Sequence, residues 1–114
     1  MKMTGGKTTV IKTVVFAVKD IDAAKKVYGK LLGVAPVMDQ PYYVQYNVGD
    51  QEIGLDPSGR GAGIYWKVSD IRGTLKSLVA AGAETRQDVT DVGGRLIAKV
   101  ADPAGNVIGL LQTT

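Results

Sequence analysis

The amino-acid sequence predicts an α+β domain in which two repeated β-α-β-β-β modules form one curled mixed sheet. The first observation behind this is an internal repeat. Val18-Lys19-Asp20-Ile21 is answered 50 residues on by Val68-Ser69-Asp70-Ile71, and Ile53-Gly54-Leu55 is answered 55 on by Ile108-Gly109-Leu110. Leu32-Gly33-Val34 is answered by Ala81-Gly82-Ala83 at nearly the first offset. The second observation is that each copy reads as apolar strand, capped helix and short strands. One copy alone leaves a sheet face open, so two are needed to close a core. The third is Ala101-Asp102-Pro103-Ala104-Gly105-Asn106 before the apolar run Val107–Leu111. Pro103 fixes φ and Gly105-Asn106 tolerate the left-handed region, so the chain reverses there and enters a strand.

Taken in order, Met1 to Thr9 is a polar tail, expected to be flexible. Val10 to Val18 is a β-branched run, a buried strand. Asp20 caps a helix over about Ile21 to Leu32, with Ile21, Ala24, Val27, Tyr28, Leu31 and Leu32 on one face and Gly33 as the terminator. Val34 to Met38 reads as a short strand, placed near an edge by Pro36. Tyr42–Val48 and Gln51–Leu55 are strands joined by the two-residue turn Gly49-Asp50. Residues 57–63 are linker-like, and the pattern then restarts. Gly63–Val68 is a strand, Ile71–Ala81 a helix ended by Gly82, Glu84–Asp88 a weak strand, and Arg95–Ala101 and Val107–Gln112 two more. The organisation is therefore a tail over 1–9, a first module over 10–56, a linker over 57–63 and a second module over 64–114, all one domain.

Composition bounds the function. With 114 residues the chain makes one small domain. No apolar run approaches the roughly 20 residues that span a bilayer, and no apolar segment follows the N-terminal lysines, so neither a membrane span nor a signal peptide is expected. Absence of Cys excludes disulfides and thiolate metal sites, and absence of His removes the commonest metal ligand and general base. A cytoplasmic setting is the expectation. The net charge of +3 comes from scattered residues. Its densest cluster, Lys25, Lys26 and Lys30, lies mostly off the apolar face of the first helix and reads as solvated surface. No basic stripe with interleaved aromatics is present, so no nucleic-acid partner is expected.

Three stretches carry a resemblance: Val18-Lys19-Asp20-Ile21, Val27-Tyr28-Gly29-Lys30-Leu31-Leu32-Gly33, and Asp102-Pro103-Ala104-Gly105-Asn106-Val107-Ile108-Gly109-Leu110. Their order, with the repeat, resembles the vicinal oxygen chelate superfamily of glyoxalases, bleomycin resistance proteins and extradiol dioxygenases, over about Val10 to Gln112. The resemblance implies paired β-α-β-β-β units, a homodimer, and a ligand cavity inside the curled sheet. It also implies metal ligands, in the family's metal enzymes, at places that here hold Thr13, Gly54, Gly63 and Gly109. A site of that type needs convergent His, Glu or Gln, and three of these four residues have no side chain to offer. The chain therefore resembles the metal-free branch, and neither metal nor other cofactor is expected.

Strand alternation then proposes what lines the cup. On the first strand Ile11, Thr13, Val15 and Ala17 face it, while Val14, Phe16 and Val18 face the helix. Gly63, Tyr65 and Lys67 face it from the matching strand of the second module, with Trp66 turned to the helix as a core anchor. Tyr43, Gln45, Asn47 and Glu52 follow from a pairing of Gln45 with Gly54. Leu96, Ala98, Val100, Val107 and Leu111 are expected to complete an apolar wall. The glycines are expected to leave room for ligand. The candidate binding residues are thus Thr13, Val15, Tyr43, Gln45, Glu52, Gly54, Gly63, Tyr65, Lys67 and Gly109.

The leading expectation is a metal-independent small-molecule-binding protein that sequesters an antibiotic or aromatic metabolite. A protein of charge +3 gains no long-range attraction for a cation such as bleomycin, so a neutral or anionic aromatic ligand fits better, with Lys67 as counter-charge. The alternative is a metal-free isomerase or lyase using Glu52 as base and Tyr43 or Tyr65 as acid. A third is a regulatory module with a vestigial cup. The sequence leaves open whether the two modules pair within a chain or between chains.

Overall fold

The computed structural model describes residues 9–59 and 63–113. The tail expected over 1–9, apart from Thr9, lies outside the described residues, as do 60–62 of the expected linker. Along the chain run β1 (Val10–Ala17), α1 (Ile21–Leu32), β2 (Met38–Gln40), β3 (Tyr43–Val48), β4 (Gln51–Asp56), β5 (Ile64–Lys67), α2 (Ile71–Ala80), β6 (Glu84–Val92), β7 (Arg95–Ala101) and β8 (Val107–Thr113).

The local chemistry explains the boundaries. Asp20 accepts the Ala23 N–H at the start of α1, and Asp70 accepts that of Gly73 at the start of α2. Gly33 closes α1 in the left-handed conformation, φ 70°, donating its N–H to the Gly29 carbonyl. Asp102 organises the last turn: its carboxylate accepts both the backbone N–H and the side-chain amide of Asn106.

The strands form one sheet in the order β2-β3-β4-β1-β5-β8-β7-β6. Each half has its first strand parallel to its last, and the halves meet where β1 pairs antiparallel with β5. The two modules therefore pair within one chain. Both helices cover the same face. Val44, Tyr46 and Leu55 form a core with Ile21, Ala24, Tyr28 and Leu32 of α1. Ile71, Ala98 and Leu110 form the other, with Leu75 and Leu78 of α2. Val14 pairs with Ile64 and Phe16 stacks on Tyr28, which puts the joint between the halves on that same outer face.

The opposite face is the inside of the cup. β4 and β7 are four strand steps apart, which on a flat sheet is roughly 19 Å. Arg95 of β7 nevertheless donates to Glu52 of β4, so the sheet curls until its two halves face each other.

Four expectations are corrected. β2 runs Met38–Gln40 rather than Val34–Met38. β6 is no weak strand ending at Asp88 but runs to Val92 with two register shifts. Both are the edge strands, rich in polar residues and without a clean alternation to read. On β7 the facing is inverted. Lys99 pairs with Gly109 and Ala98 with the core residue Leu110, so Leu96, Ala98 and Val100 lie on the α2 side and Arg95, Ile97 and Lys99 line the cup. The apolar set goes where a helix covers it. Finally, a bulge at Lys12 sets Ile11 opposite Trp66, off the row shared by Thr13 and Tyr65.

Candidate functional site

A single row of paired residues crosses the whole cup. It runs Asn47, Glu52, Thr13, Tyr65, Gly109, Lys99 and Gln87, from β3 to β6. Beside it Val15 pairs with Gly54 and Gly54 with Gln45. The structure therefore brings Thr13, Val15, Tyr43, Gln45, Glu52, Gly54, Tyr65 and Gly109 onto one concave face. Gly63 stands just before β5, with φ 89° and its carbonyl accepting the Val15 N–H. Lys67, paired with Leu111, shares the concave face, but it is exposed at the end of β5, where it also borders a cavity beside Trp66.

Glu52 is the centre of the first module's wall and is 7% exposed. Thr13 Oγ1 donates to its Oε1 at 2.8 Å. Arg95 Nη1 donates to Oε1 at 3.0 Å and Nη2 to Oε2 at 2.7 Å, a two-pronged bridge. Lys12 Nζ stands 3.9 Å from Oε2, carried there by the bulge that turns it towards Thr13's side. Burial opposes the charge on Glu52. The hydrogen bonds from Arg95 and Thr13, and the Arg95 and Lys12 charges, outweigh it and hold the carboxyl below its ordinary value. Burial, then the Glu52 and Asp56 carboxylates, push the Tyr43 hydroxyl up to about 12, so it keeps its proton at neutral pH. A carboxylate whose oxygens are engaged by Arg95 and Thr13, beside a phenol this weakly acidic, is poorly arranged for acid–base exchange with a substrate.

Gly54 and Gly109 do not leave the open space expected of them. A Cβ on Gly54 would run into the Tyr43 ring and hydroxyl, and one on Gly109 would stand 2.5 Å from Tyr65 Cδ2. A tyrosine thus lies over each glycine, from β3 in one half and from β5 in the other. The absence of a Cβ admits an aromatic ring instead of a vacant volume. The four places where the family's metal enzymes carry ligands fit no such group here. Thr13 spends its hydroxyl on Glu52, two glycines lie under tyrosines, and Gly63 brings no donor side chain. Among the described residues no three Asp or Glu side chains converge.

Sequence reasoning missed Lys12, Arg95 and Lys99. The bulge that re-aims Lys12 has no sequence signature. Arg95 and Lys99 were legible as the polar-bearing alternate set of β7, had the apolar set been given to the helix. Trp66 does face the α2 side, opposite Leu110, but it walls a cavity of about 750 Å³ with Thr74, Leu78 and Ile108 instead of anchoring a filled core. The repeat explains the difference. Phe16, its counterpart, stacks on Tyr28 at 5.2 Å, while the residue 50 places after Tyr28 is Leu78.

A family model described as the Glyoxalase/Bleomycin resistance protein/Dioxygenase superfamily matches residues 10–110. The chain belongs to this superfamily. Among curated proteins no sequence matches it. Several solved structures share the fold at low identity. A hypothetical protein from Bacillus halodurans C-125 superposes with TM-score 0.75 at 16% identity, covering 95% of this chain and 96% of that one. Methylmalonyl-CoA epimerase from Mycobacterium tuberculosis gives 0.68 at 21%, covering 91% and 87%. A superfamily member from Vibrio splendidus 12B01 gives 0.67 at 15%, covering 94% and 100%. At these identities the likeness is one of fold.

Proposed function

We propose that this glyoxalase-superfamily chain is a metal-independent small-molecule-binding protein that holds an aromatic metabolite or antibiotic in its cup. The observation that carries the reading is the fate of the four ligand places. Thr13 is committed to Glu52, and tyrosine rings overlie Gly54 and Gly109. Tyr65 offers a flat face in the middle of the row, with Leu111 diagonal to it on the adjacent strand and Ile97 paired to Leu111 beyond. In this reading residues 10–56 and 64–114 are two modules of one ligand-binding domain, working in the cytoplasm as a homodimer.

The test is a calorimetric and thermal-shift screen with one- to three-ring aromatic compounds, with and without added zinc, nickel or iron. Hits should bind equally well in chelator. Tyr65→Ala should weaken them about tenfold, the upper end for an aromatic contact. A stoichiometric metal that chelator removes together with binding, or hits indifferent to Tyr65→Ala and Tyr43→Ala, would refute the reading.

A further inference from the structure

The cup carries more positive than negative charge, and the surplus is not distributed evenly. Among the cup-lining cations, Arg95 is spent on Glu52, and Lys12 lies between Glu52 and the Asp50 carbonyl. Lys99 is different. It is half-buried on β7, directly beside Gly109, and Gly109 is in turn directly beside Tyr65. Among the described residues it has no ion-pair partner and no side-chain hydrogen bond.

The repeat shows that this is a departure from its counterpart. Gly54 pairs with Gln45 in the first half as Gly109 pairs with Lys99 in the second. Gln45 is satisfied by its neighbour Asn47, its Nε2 donating to Oδ1 at 3.1 Å. Two residues beyond Lys99 the corresponding place is Ala101, which offers no acceptor side chain. One half therefore has a neutral polar pair. The other has, beside the paired Arg95, a lysine facing the cup, flanked along its strand by Ile97 and Ala101 and across the sheet by Gln87 on one side and a tyrosine ring over a glycine on the other. A half-withdrawn ammonium without an internal counter-charge is stabilised by an anion from outside, and the adjoining ring selects one attached to a flat apolar body.

We infer that Lys99 is the anion subsite of the cup and that the ligand is an aromatic carboxylate, its ring on Tyr65 and its carboxylate on the Lys99 ammonium. The inference rests on the proposed binding function and gives the counter-charge role to Lys99 in place of Lys67, which sits exposed at a strand end. Arg95 is the weaker candidate, because an incoming carboxylate would have to displace Glu52 from both of its guanidinium bonds.

The experiment compares one- to three-ring carboxylates (benzoate, 2-naphthoate, anthracene-2-carboxylate) with their primary amides by calorimetry. The carboxylate should bind about tenfold tighter than its amide, the low end for a charge-assisted hydrogen bond. Lys99→Met should abolish that preference while leaving the amide's affinity unchanged. Lys99→Gln, which copies the Gln45 place, should do the same and covers the case in which the methionine variant does not fold. Lys67→Met should leave the preference intact. Equal binding of carboxylate and amide, or a preference that survives Lys99→Gln, would overturn the subsite and leave the cup as an aromatic site. No binding by either class would overturn both.

Discussion

Glu52 shows how much one side chain's surroundings decide. A carboxylate in a cup lined partly by apolar residues would have its pKa raised by burial alone. In the folded chain Arg95, Thr13 and Lys12 surround it and the shift runs the other way. Its folded pKa lies below its unfolded value, so its contribution to stability is complete above the unfolded pKa, near 4.5, and disappears as pH falls through the folded one. Arg95→Met should therefore destabilise the protein by about 2 kcal/mol at pH 7. That is below the value for a fully buried pair, because Arg95 is partly exposed and Lys12 remains nearby. Urea denaturation of the two proteins should give curves well apart at pH 7 that converge by pH 3. A gap of the same size at both pH values would show that the loss is one of packing rather than of charge.

At the level of the element, both helices depend on the same device. Asp20 and Asp70 cap them at equivalent places in the repeat, each accepting the N–H three residues on. Asp20→Ala and Asp70→Ala should each cost about 1 kcal/mol in urea denaturation, with the helices otherwise intact. Asp70→Asn should retain most of that, since the amide oxygen still accepts; a loss as large as that of alanine would point to charge at the helix end as the main effect. The caps were legible because Asp before an apolar, helix-spaced run is a local signal. The edge strands were not. Residues 84–92 alternate poorly, and only pairing with β7 draws them into the sheet.

At the scale of the molecule, the chain forms one continuous sheet with both helices behind it, and the outer face at the joint is apolar. Phe16 and Ile64 are 39% and 40% exposed there. The proposed homodimer gives such side chains a partner. Light scattering at micromolar concentration should report twice the 12.0 kDa of one chain. Phe16→Glu and Ile64→Glu should shift it towards monomer if this face is the contact. A monomer in the unmodified protein would refute the dimer without touching the cup.

The sequence by itself determined the α+β class, the two-fold repeat, both helices with their caps, the hairpin turns and the superfamily. These depend on short-range spacing and on residues such as Asp20, Gly33 and Pro103 whose effect is local. It also identified most of the residues that share the cup face, because alternation is strict within a regular strand. Only the tertiary structure decided that the halves pair within one chain, that Lys12 is turned inward by a bulge, and that Arg95 crosses to Glu52. It alone set tyrosines over Gly54 and Gly109 and, among the described residues, left Lys99 without an ion-pair partner. Each of those depends on strands far apart in sequence meeting in a particular register. A shift of one residue moves every side chain of a strand to the other face, and no local pattern encodes which register the packed helices will select.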